Sequence, residues 1–237
     1  MKSSKWLILV LVAYIVIFAS SYSLRRDDVK AVSESSVVDL PVIDSRDAGP
    51  SSVTASRYRL DDSRSKFIAH ALAGGLLWFK GHDHLVAVRE FNGEAGLDPD
   101  AIANSSLQIT AKAASMGETS SVFTAPQKQI INKELREIVL LPDQYPDIIF
   151  KSTAVSGKSM APGQYDLKIT GSLTLHGVTR PVTIPTKVTV TGNDLRAQGE
   201  FSISHDDFNV KATSAFHGLV RVRDKVKFEF DIVGHQL

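Results

Sequence analysis

Between Gly163 and Leu175 the chain alternates polar and apolar residues, with Leu167, Ile169, Gly171, Leu173 and Leu175 on one face. A period of two makes one side of a pleated ribbon apolar and the other polar, which is the pattern of a half-buried strand and not of a helix. The alternation breaks at His176-Gly177-Val178 and resumes at Val182 and Ile184, while Pro181 removes a ladder donor and Pro185 is expected to end the run. Gly171 to Ile184 therefore reads as a strand, a tight bend and a second strand.

The same rhythm recurs through the rest of the chain. Tyr58 to Asp61 is expected to be a short strand ended by Asp61-Asp62-Ser63; Lys66 to Ala73 and Leu76 to Phe79 are two apolar runs split at Gly74-Gly75. Ser106 to Lys112, Ile148 to Ser152, Val188 to Val190 and Leu195 to Ile203 alternate in the same way. Phe216 to Val222 and Val226 to Ile232 form the last two runs, joined at Arg223-Asp224-Lys225. One stretch has a different period. Thr124 and Gln127 have capping-box spacing, Pro126 fits a first turn, and Ile131, Leu135, Ile138 and Val139 recur at helical intervals. About eight strand segments with one amphipathic α-helix and no βαβ rhythm predict an all-β, antiparallel architecture, and closure into a barrel is favoured over a sandwich because it leaves no exposed edge.

Four stretches stand out: Leu-Thr-Leu-His-Gly-Val-Thr-Arg-Pro-Val at 173–182, Tyr58-x-Leu60-Asp61 with Ser65-x-Phe67, Phe91-x-Gly93 with Leu97-Asp98, and Tyr145-Pro146-x-Ile148-x-Phe150-x-Ser152. Together they resemble the YceI-like family of polyisoprenoid-binding proteins. The resemblance covers about residues 57–237 and implies an extended lipocalin-like barrel of about eight strands around an apolar tunnel. It also implies an isoprenoid ligand. One departure stands out: where that family places an Asp-Phe-Gly, this chain has Asp207-Phe208-Asn209. Asn tolerates the left-handed backbone that such a glycine supplies, so the fold is expected to survive the exchange.

The chain begins with Lys2 and Lys5, an apolar run from Trp6 to Ala19 and small residues to Leu24, the parts of an export signal or, if retained, of a hydrophobic membrane-anchoring helix. Residues 1–24 are accordingly expected to direct export to an extracytoplasmic or periplasmic location, with cleavage and retention both open. Residues 25–56 are poor in apolar period and read as a spacer; residues 57–237 read as the barrel domain. A formal net charge of +1 gives no basic face for nucleic acid, and the absence of cysteine excludes disulfides, thiolate metal sites and a cysteine nucleophile.

Function then rests on the inward faces. Phe150, Leu167, Ile169, Leu173, Phe201, Ile203, Val220, Phe228 and Phe230 are the candidate lining of a ligand-holding lumen; the alternative for each is that it fills a solid core. Such a binder needs no cofactor, and its partners would be an apolar isoprenoid lipid, the membrane through an uncleaved N-terminal segment, and a second copy of the chain if it dimerises. A competing reading is a metal-dependent, hydrolytic barrel. His82 and His84, separated by Asp83, project to one side of an extended segment, and a third ligand would come from His70, His176, His205, His217 or a carboxylate. The same three residues could instead meet a polar head group. Gly157-Lys158-Ser159 lacks the opening glycine of a phosphate loop, Asp206-Asp207 in a strand would diverge, and no Gly-x-Ser-x-Gly elbow occurs.

Overall fold

The structure, a computed structural model, describes residues 55–237 apart from Trp78, Lys80, Thr213 and residues 216–218. The expected export segment 1–24, nearly all of the spacer and His217 lie outside the described residues. Among the described residues no helix is long and apolar enough to cross a membrane.

The strands are β1 (Ser56–Ala71), β2 (Ala73–Gly74), β3 (His84–Ala87), β4 (Phe91–Leu97), β5 (Ser106–Lys112) and β6 (Gly117–Glu118), followed by helix α1 (Ala125–Glu134). After it come β7 (Asp147–Ala161), β8 (Gln164–Leu175), β9 (Val178–Thr191), β10 (Asp194–Ser204), β11 (Ser214–Ala215), β12 (Val220–Val222) and β13 (Lys225–Gln236). Eight of these form a closed antiparallel ring in the order β1-β4-β5-β7-β8-β9-β10-β13, because β13 pairs back onto β1. The alternation is the cause: in β8 every second residue from Tyr165 to Leu175 is buried, and closure satisfies the outer edges that an open sheet would leave bare. Strands β3 and β6 extend the sheet beside the far half of β1, and β11, β12 and β2 form a separate small sheet.

The bend at 176–177 is a two-residue hairpin with φ of 51° at His176 and 73° at Gly177. Positive φ at both central positions gives the twist that joins antiparallel strands without splaying them. Asn209 also has positive φ, 54°, as the exchange of glycine for asparagine implied. The helix begins as its spacing predicts: the Thr124 backbone N–H and hydroxyl both donate to Gln127 Oε1, at 2.8 and 2.9 Å. It then widens into a π turn over Leu135–Leu140 and stops at Leu141, whose φ is 47°. Leu135 and Val139 pack on the core, but Ile138 stays 46 % exposed, so the buried stripe is narrower than the sequence period suggests.

Four expectations are corrected. β1 does not end at Asp61; it continues to Ala71 across a register shift in its pairing with β13, where the Val233 N–H donates to Ser65 Oγ at 2.9 Å in place of a ladder bond. β9 does not end at Pro185. The Val190 N–H donates to Gly163 on the β8 side, so by strand parity the odd residues of β9, Pro181 and Pro185 among them, turn their nitrogens away from β8. Neither proline therefore interrupts the β8–β9 ladder. Leu76 and Leu77 form a turn and not the start of a second strand, and Leu76 is 78 % exposed. Val220 is not in the barrel wall; it pairs with Ala215 in the small sheet, because the chain leaves the ring after Ser204 and rejoins it only at Lys225.

Candidate functional site

Inside the ring lies an apolar cavity of about 130 Å³. Phe150, Leu167, Ile169, Leu173, Phe201, Ile203, Phe228 and Phe230 all line it, as does Leu175 on the same face of β8, together with Phe67, Val182, Ile184, Ala197 and Ile232, which were not among the expected lining residues. Strand parity would have found Ala197, Val182 and Ile232, since each sits two residues from an inward neighbour. Phe67 was hidden because Ile68 and Ala69 follow it directly and blur the alternation in β1. None of the lining residues is charged. The Thr186 hydroxyl donates to the Ile184 carbonyl at 3.2 Å, and Ser105 Oγ accepts the Asp98 N–H at 3.1 Å. Those two hydroxyls already have partners in the protein, and Ser106, the third hydroxyl residue of the lining, is exposed to solvent.

Two glycines shape the wall. A Cβ at Gly199 would lie 2.7 Å from Phe230 Cζ, and one at Gly171 2.6 Å from Phe150 Cζ, so each ring rests over an inward position that carries no side chain. On one side of the lumen Phe67, Phe201, Phe228 and Phe230 meet as neighbours on the adjacent strands β1, β10 and β13. Phe201 stacks on Phe228 at 5.1 Å, and Phe67 approaches Phe228 edge-on at 5.9 Å.

The His82-Asp83-His84 segment lies outside this cavity. Both imidazoles do face one way, but what they meet is Phe123: His84 stacks on it at 5.1 Å and His82 approaches edge-on at 5.7 Å. Asp83 is occupied by the Ala73 N–H at 2.8 Å. His84 Nδ1 lies 2.8 Å from Glu118 Oε2, and the Glu118 side chain is fully buried. Glu118 Oε1 also accepts the N–H groups of Leu85, at 3.2 Å, and Ser120, at 2.7 Å. A buried carboxylate needs such partners, and here they tie β3 to β6. Nothing in Gly117-Glu118-Thr119 announced this role, because the partners come from outside the segment.

The histidines named as third ligands are dispersed. His70 faces Glu229 at 3.4 Å and His176 packs on Tyr145 at 4.2 Å between ring centres. His205 Nδ1 lies 3.0 Å from the Val210 carbonyl. Among the described residues, the metal-type donors that do converge are His205, Asp206 and Asp224, elsewhere on the molecule. Their atoms are engaged in holding a turn: Asp224 Oδ1 accepts the Ser204 hydroxyl at 2.6 Å and the Asp206 N–H at 3.3 Å. The Ser204 bond, more than any other contact, holds the Asp224 carboxyl below its usual range. His176 Nε2 is the one buried side-chain polar atom without a partner among the described residues. Burial, and then the Lys211 charge, push the His176 imidazole below its ordinary value.

The YceI-like domain matches residues 58–234. The chain is 29 % identical to protein YceI of Escherichia coli over 170 residues, 68 % of this chain and 79 % of that protein. Its fold is similar to the crystal structure of BcnA from Burkholderia cenocepacia, with a TM-score of 0.58 at 24 % identity, covering 73 % of this chain and 98 % of that one. It is also similar to a polyisoprenoid-binding domain from Saccharophagus degradans implicated in plant cell wall breakdown. There the TM-score is 0.53 at 13 % identity, over 76 % and 98 % of the two chains.

Proposed function

Because this chain belongs to the YceI-like family, we propose that it is a binding protein, not an enzyme, whose barrel holds the hydrocarbon chain of an isoprenoid lipid or isoprenoid quinone as carrier or store. The observation that carries the reading is the lumen wall, which offers no charge and whose hydroxyls at Thr186 and Ser105 are already bonded within the protein. Whatever is held there contributes apolar surface. The description of the Saccharophagus domain as polyisoprenoid-binding supports the choice of lipid.

Magnitudes set how the ligand fits. A void of about 130 Å³ is near the size that holds one benzene and below the range of about 300–1,000 Å³ for a drug-sized ligand. A longer chain enters by displacing rings of the Phe67, Phe201 and Phe228 group. Each aromatic pair contributes about 0.5–1.5 kcal/mol, whereas burying a five-carbon isoprene unit returns about 4 kcal/mol at ~0.8 per carbon. The exchange favours the ligand.

The basic start and apolar run of residues 2–19 support an extracytoplasmic location, in which the ligand would be drawn from the outer side of a cytoplasmic membrane. Cell fractionation that finds the chain wholly in the cytosol would refute that part. Native mass spectrometry of the gently purified chain tests the binding reading: a lipid-sized adduct, or uptake of added isoprenoid quinone, is expected. A bare chain that takes up neither quinone nor retinol would overturn it.

A further inference from the structure

The barrel wall is not continuous in hydrogen bonding. β9 and β10 pair only where Thr186–Thr191 meets Asp194–Gly199. Carried on, that register would set Glu200 opposite Pro185, Phe201 opposite Ile184, Ser202 opposite Thr183, Ile203 opposite Val182 and Ser204 opposite Pro181; these residues do not pair. The cause is in the sequence. Residues of β9 with odd numbers turn their backbone groups toward β10, as the Pro185 carbonyl shows by lying 2.3 Å from where a Gly199 Cβ would stand. Two of those odd positions, Pro181 and Pro185, are proline, so β9 lacks two of the donors that would zip the strands together there.

The parted strands border the lumen directly, since Val182, Ile184, Phe201 and Ile203 line it. The gap is covered by the turn after β10. Phe208 is 2 % exposed and Val210 8 %. The turn is held by its own bonds, from Phe208 N to His205 O at 3.2 Å, Asn209 N to Asp206 O at 3.1 Å and Val210 N to His205 O at 3.1 Å, and by Asp224. Among the described residues, no backbone hydrogen bond joins it to β9. A side chain that seals by packing alone can leave without breaking a ladder.

We propose that this seam is the portal through which the apolar ligand crosses the barrel wall, with Phe208 as the side chain that closes it. The proposal rests on the lumen reading above and assigns the route that reading lacks. On its lumen side the seam presents Val182, Ile184, Phe201 and Ile203 to an isoprenoid chain, and the two prolines remove two of the N–H groups that such a chain would otherwise desolvate.

The test uses the full-length chain loaded with retinol, a fluorescent isoprenoid, and follows its release into excess unlabelled acceptor vesicles by stopped flow. Phe208→Ala is expected to speed release by at least about tenfold, with Phe208→Leu intermediate and available should the alanine variant not fold. Restoring the donors with Pro181→Thr and Pro185→Thr, both outward-facing positions, is expected to slow it. Wild-type release rates in the folded variants would overturn the portal and leave the lumen reading standing, since retinol would still be bound. Failure of the wild-type chain to bind retinol would refute the lumen reading and the portal with it.

Discussion

Replacing Ala197 with phenylalanine separates a true void from a packed core, because the two predict opposite signs. Ala197 faces the lumen from β10, between Val188 of β9 and Ile232 of β13. Empty cavity costs about 24 cal/mol per Å³ in stability, so the 130 Å³ here represents about 3 kcal/mol forgone. A phenylalanine that fills a good part of it should stabilise the chain by about 1–2 kcal/mol, and phenylalanine also suits a strand. For a domain of this size that is a rise in Tm of about 2–8 °C. The same ring should exclude roughly one isoprene unit and weaken retinol binding by several hundredfold or more, at ~0.8 kcal/mol per displaced carbon. If the lumen were solid, overpacking would cost about 1–3 kcal/mol and lower Tm instead. Circular-dichroism melting and a retinol titration on the same preparation decide it: a lower Tm with unchanged retinol affinity would refute the reasoning.

Other expectations follow from single contacts. His176 titrates below its ordinary value in the folded chain, so on acidification the unfolded state takes up its proton first, near pH 6.5, and stability falls from there until the folded imidazole also protonates. His176→Asn, chosen because asparagine tolerates the 51° φ, should flatten that part of the Tm-versus-pH curve, and an unchanged slope between pH 7 and 5 would count against the assignment. Glu118→Ala strips the acceptor from the Leu85 and Ser120 N–H groups and should cost about 2–6 kcal/mol in urea unfolding, at 1–3 per orphaned donor. Glu118→Gln, which keeps an acceptor oxygen, should cost less; equal midpoints for the two variants would argue against the bonds as the cause.

The strands were legible because burial on one face writes itself into alternate residues. β8 and β10 could be read nearly to their ends from Leu167, Ile169, Leu173, Phe201 and Ile203 alone. What the sequence concealed depends on partners distant along the chain. Whether Pro185 stops a strand is decided by which neighbour its nitrogen faces, and that is a property of the sheet. Glu118 looks like any surface acid until Leu85, Ser120 and His84 surround it. The histidine pair had the spacing for a shared ligand, and the structure does turn both rings one way, but the group between them is the Phe123 ring, supplied by a loop some forty positions on. Val220 carried an apolar signal with the right period and still lies outside the wall, since periodicity reports that a face is covered and is silent on which layer covers it.

The pairing of Tyr58 with Gln236 also governs when this molecule can exist. Strand β1 gains one neighbour early, in β4, and the other only with residues 225–236, so the ring cannot close before β13 has been made. Until then β1 and β10 each offer an open edge, the kind of surface that templates association between chains. Joining segments so far apart makes for slow, high-contact-order folding, and the lumen is complete only once that pairing has formed. The topology therefore imposes an order: a nascent chain has no closed lumen until β13 has docked beside β1.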